Sequence, residues 1–113
     1  MNKKIEELNK IKKNKVYIQL IKLKRNLDEN LSNALDLTII LSDYPYYEGD
    51  ERLELSFYNI QEFKLGNINN LFRMLIDIID ISDRQLEECK YIVEELEYNT
   101  FSFQCYDFNY KII

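Results

Sequence analysis

The chain has 113 residues, 46% hydrophobic and 31% charged, with nine Tyr, six Phe, two Gly and one Pro. This is the size of one ordinary domain, expected over 1–113, with enough apolar and aromatic content to bury a core and to exclude disorder. The net charge is −5 and there is no His, which removes the commonest general base and transition-metal ligand and weighs against an enzyme.

Residues 1–14 are a basic N-terminal segment in which Ile5, Leu8 and Ile11 recur at helical spacing among Lys and Glu, which predicts a short one-sided helix ending near Asn14. From Lys15 two periods compete. Val16, Ile18 and Leu20 alternate as a strand does, while Val16, Leu20, Leu23, Leu27, Leu31 and Ala34 form a helical stripe. The β-branched and aromatic content of VYIQLI favours a strand over 15–24. LDLTIILS (35–42) is the next strand, stopped by Asp43, Pro45 and Gly49. In 51–59, Leu53, Leu55 and Phe57 alternate with Glu54, Ser56 and Tyr58, giving one buried face and one wet face. Gly66 and the nearby asparagines mark a turn. A strand over 71–81 places Phe72, Met74, Ile76 and Ile78 on one side and Asp77 on the other. Residues 88–96 and 100–110 then read as a hairpin around EYNT. Phe101, Phe103 and Cys105 share one face, and Ser102, Gln104, Tyr106, Phe108 and Tyr110 the other. The expected fold class is α+β, mainly antiparallel β: one N-terminal helix and a meander or sandwich-like sheet body over 15–113. The expected core includes Phe57, Met74, Ile76, Ile78, Phe101 and Phe103.

Charge is unevenly spread. Residues 1–25 carry nine Lys/Arg against Glu6 and Glu7, a sum of +7, and the remaining 88 residues carry six against 18 Asp/Glu, a sum of −12. The basic segment either packs on its own acidic body or meets a neighbouring chain, the second case giving a homo-oligomer. An acidic body repels phosphate, so a nucleic-acid partner is not expected. No apolar run reaches the roughly 18 residues of a membrane span, and the Lys-rich start lacks a small-residue cleavage site. The expected location is therefore the cytoplasm, without a membrane partner. Cys89 and Cys105 lie inside apolar periodic segments and are expected to be buried, reduced thiols.

Two stretches have chemical potential. Asp77, Asp80 and Asp83, followed by Glu87 and Glu88, offer oxygen ligands to a divalent ion, the alternative reading being a metal-binding module or metal-dependent enzyme. The EF-hand pattern is absent, and in a strand Asp77 and Asp80 point to opposite faces, so neither a metal site nor a cofactor is expected. The second stretch is DYPYYEGDE, 43–51. Tyr44, Tyr46 and Tyr47 stand beside Glu48, Asp50 and Glu51 in a strand-connecting loop. The tyrosines either fold back over the sheet or anchor an interface toward which the carboxylates steer a basic protein.

Residues 53–108, LELSFYNIQEFKLGNINNLFRMLIDIIDISDRQLEECKYIVEELEYNTFSFQCYDF, resemble the small bacterial proteins found among the immunity proteins of polymorphic toxin systems. The resemblance implies a non-enzymatic protein that neutralises one cognate toxin by binding it. Inhibitors of nuclease toxins are often acidic, which is compatible with a cationic target. No functional motif of such families maps onto individual residues here.

Overall fold

The computed structural model describes residues 2–25, 27, 34–84 and 89–113. Among the described residues a helix, α1 (Lys3–Ile11), precedes eight strands: β1 (Tyr17–Arg25), β2 (Leu35–Ser42), β3 (Leu53–Tyr58), β4 (Gln61–Leu65), β5 (Ile76–Asp80), β6 (Tyr91–Glu95), β7 (Phe101–Cys105) and β8 (Asp107–Ile112). They form two four-stranded antiparallel sheets, ordered β1-β2-β3-β8 and β4-β7-β6-β5. The architecture is the expected α+β sandwich, and neither sheet closes into a barrel. The competition at Lys15 resolves as a strand over Tyr17–Arg25, while residues 26 and 28–33 lie outside the described residues.

The alternation in the sequence becomes the core. Leu37, Ile39 and Leu41 of β2 and Leu53, Leu55 and Phe57 of β3 face Ile76, Ile78, Val93, Phe101, Phe103 and Cys105 of the other sheet, all buried. The six core residues expected from the sequence are all buried, Met74 included. Phe57 and Phe103 meet edge-to-face between the sheets at 5.0 Å, and Phe63 and Phe101 stack on Phe103 at 5.9 Å each.

The one-sided helix covers an open side of the sandwich. Asn2 caps it, its side chain accepting from the Ile5 N–H at 3.1 Å, and Leu8 is buried in the core. The Lys4 ammonium lies over the Phe108 ring at 4.4 Å, donates to the Phe108 carbonyl and pairs with Asp107 at 3.2 Å. Lys12 donates to the Ile76 carbonyl, and Tyr110 donates to Glu7 at 2.9 Å. Lys4 and Lys12 of the basic segment are thus engaged with the chain's own body.

Three expectations are corrected. The apparent single strand 100–110 is two strands in different sheets. At Tyr106 the chain leaves β7 and enters β8 beside β3, the Tyr106 N–H donating to the Tyr58 carbonyl at 3.0 Å. The crossing inverts the side-chain parity, so Phe108 does not share the outer face of Ser102 and Gln104 but is fully buried. Residues 61–65, which had no predicted element, form edge strand β4. The preceding corner is set by Asn59 at φ 55° and by its N–H donating to Asp36 at 3.1 Å. Finally, the strand expected over 71–81 starts only at Ile76, and Phe72 stands outside the core.

Candidate functional site

The acidic, tyrosine-bearing segment connects β2 to β3 at one end of the sandwich. Gly49 takes φ 95°, a conformation that side chains with a Cβ rarely adopt, and closes a tight turn. In that turn the Tyr47 N–H donates to the Asp50 carboxylate and the Asp50 N–H donates to the Tyr47 carbonyl, both at 2.9 Å. The turn leaves Tyr44 and Tyr47 each 67% exposed, with Glu48, Asp50 and Glu51 exposed beside them. Tyr46 alone of the three is half-buried, with the Arg52 guanidinium 5.9 Å from its ring. Two of the three tyrosines therefore keep most of their surface in solvent.

Tyr44 also belongs to a cluster that pattern reading missed. Its ring lies 5.2 Å from Tyr17 and 5.5 Å from Phe72, and Tyr17 lies 5.1 Å from Phe72. The cluster sits where the start of β1 reaches across to the segment before β5. Ile18 N–H donates to the Phe72 carbonyl at 2.8 Å, and Met74 N–H to the Val16 carbonyl at 2.6 Å. The one available sequence signal was that Phe72 follows directly on the Asn-rich turn, where an extended face begins rather than continues.

Among the described residues, the acidic side chains of the alternative metal reading are not grouped to hold an ion. Asp80 accepts from Asn2 Nδ2 at 2.8 Å and from the Ser82 N–H and hydroxyl at 2.8 and 2.6 Å, which together hold its carboxyl below the usual range. Asp77 acts instead on Lys12, whose ammonium is lowered by burial and partly restored by that carboxylate. Glu87 and Glu88 lie outside the described residues. Among the described residues no three His, Cys, Asp or Glu side chains are grouped to hold a metal ion, which weighs against the metal-binding alternative.

A buried carboxylate that the sequence reading passed over organises the β6–β7 hairpin. Glu95, at an inward position opposite Ile76, is buried and accepts five hydrogen bonds. One oxygen accepts from the Leu75 and Glu97 N–H groups at 3.0 and 2.7 Å, and the other from the Tyr98 N–H, Thr100 N–H and Thr100 hydroxyl at 2.9, 3.1 and 2.8 Å. A lone acid in core phase just before turn residues is the signal that marks it in sequence.

Both cysteines are buried, reduced thiols, as expected. Burial, with Asp107 and Cys89 adding to it against Lys4, pushes the Cys105 thiol up to about 12. Cys105 in the folded protein is therefore expected to stay unmodified by iodoacetamide near pH 8 and to react once guanidinium unfolds the chain, which peptide mass spectrometry reads directly.

The family model for Immunity protein PIM8 matches residues 1–111. The chain belongs to that family. No curated protein and no solved structure matches it. Membership in the PIM8 family gives the chain the role of a bacterial immunity protein, a non-enzymatic protein-binding function directed at a toxin. No described helix is long and apolar enough to cross a membrane.

Proposed function

We propose that this PIM8 family member neutralises a basic toxin in the cytoplasm by docking it on the β2–β3 loop, with Tyr44, Tyr46, Tyr47, Glu48, Asp50 and Glu51 as contact residues. The observation that carries the reading is the coincidence, on one pinned turn, of two exposed tyrosines with three exposed carboxylates. Tyrosine offers large contact area at low entropic cost, and the carboxylates raise the encounter rate of a cationic surface. The −12 carried by residues 26–113 extends the same field, and it disfavours nucleic acid and anionic membrane as partners. Self-assembly through the basic N-terminal segment is the less supported reading, since Lys4 and Lys12 are engaged within the chain.

The two features predict different kinetics. Replacing Glu48, Asp50 and Glu51 by their amides slows association and flattens its salt dependence. Tyr47→Ala speeds dissociation and costs about 2 kcal/mol, the threshold of a hot spot. Surface plasmon resonance at low and high salt, with the toxin that copurifies with the tagged protein, separates the two. Wild-type kinetics in both variants would place the interface elsewhere.

A further inference from the structure

Phe72 is 54% exposed, although the apolar pattern around it belongs to the core. With Tyr17 and Tyr44 it makes a three-ring cluster whose centroids lie 5.1 to 5.5 Å apart. The backbones that carry Tyr17 and Phe72 are fixed to one another. The Tyr17–Arg73 bridge and the hydrogen bonds of Ile18 and Met74 tie both chain segments together across the mouth of the sandwich. An aromatic platform held in this way loses little freedom when a partner covers it.

Its surroundings are polar but already neutralised. Lys15 pairs with Asp43 at 3.3 Å, and Arg73 pairs with Glu97 at 3.2 Å. Tyr17, Tyr44, Asp43 and Arg73 line one open groove. A desolvatable aromatic centre with a rim of paired charges is how energetically dominant patches are built. Both ion pairs are internal to the chain, and the apolar contact area lies on the exposed rings of Phe72 and Tyr44 at the edge of this polar groove. Tyr44 makes the cluster continuous with the acidic loop.

We infer that the Tyr17–Tyr44–Phe72 cluster is the apolar anchor point for the toxin, seating a bulky aromatic or branched aliphatic side chain that projects from the toxin's basic face. This rests on the reading of the β2–β3 loop as the toxin-facing side and divides the labour within it. The loop carboxylates set the approach, and the rings set the residence time.

The test uses the full chain and the purified toxin recovered with it. Phe72→Ala is expected to raise the dissociation rate at least tenfold while leaving the association rate and its salt dependence within twofold of wild type. Hydroxyl-radical footprinting of the wild-type protein, which depends on no variant's folding, is expected to show Phe72 and Tyr17 oxidation falling when toxin is added. An unchanged dissociation rate for a folded Phe72→Ala protein, or unchanged oxidation of both rings in the complex, overturns the assignment. So does a wild-type dimer that Phe72→Ala dissociates while toxin release is unaffected, since the occupant is then a second copy. Failure of the loop reading looks different: the amide variants at 48, 50 and 51 then associate like wild type whatever Phe72→Ala does.

Discussion

Glu95→Gln destabilises the fold by about 3 kcal/mol, although it preserves the size and shape of the side chain. Each carboxylate oxygen faces only donors, two on one side and three on the other. A glutamine must place its NH₂ against one of these sets, leaving at least two N–H groups without an acceptor, and a buried donor without a partner costs roughly 1–3 kcal/mol. Glu95→Ala loses at least as much, because all five donors are then released. The acid limb of the stability curve provides a second measurement. Burial raises the Glu95 carboxyl, but the backbone N–H donors outweigh it and the net shift is downward. A carboxyl depressed on folding contributes stability above its unfolded value near 4.3, and that contribution is lost as pH falls through the folded value. Wild type therefore weakens on acidification below about pH 4.3, while the difference between wild type and Glu95→Gln shrinks over the same interval. Chemical denaturation at pH 7 and at pH 3 checks both statements. Equal stability of the two proteins at pH 7 would remove Glu95 from the hairpin's support.

Strands with strict alternation were legible because one face of each is buried and the other wet. Leu53, Leu55 and Phe57 illustrate this, and β2 was located to the residue for the same reason, with turn chemistry on its C-terminal side. Residues 61–65 escaped because β4 is an edge strand with a register irregularity between Gln61 and Lys64, and its exposed Glu62, Lys64 and Leu65 follow no clean alternation. The candidate loop was legible by composition, since tyrosines beside carboxylates stand out in any context. Its extension to Tyr17 and Phe72 was not, because the three residues come from separate parts of the chain and meet only when β1 reaches across to the segment before β5. A period of two describes one strand's faces and carries no information about which element crosses to the other sheet.

The clearest consequence of such a crossing is a pair of substitutions two residues apart. Continuous alternation from Phe101 places Tyr106 and Phe108 on one outer face and predicts similar, small effects for both. The bend at Tyr106 separates them. Phe108 is fully buried, edge-to-face with Tyr91 at 4.9 Å, 6.3 Å from Phe57 and beneath the Lys4 ammonium, whereas the Tyr106 side chain is exposed. Phe108→Ala removes a ring that joins β8, β6, β3 and the helix, and is expected to cost roughly 3–5 kcal/mol. Part of that cost falls on α1, since Lys4 loses the face it lies on and the cavity opens beneath the helix. Tyr106→Ala is expected within about 0.5 kcal/mol of wild type, as for most exposed positions. Urea denaturation of the two variants decides between the geometries. A Phe108→Ala protein as stable as Tyr106→Ala would restore a single continuous strand over 100–110 and displace β8 from its place beside β3.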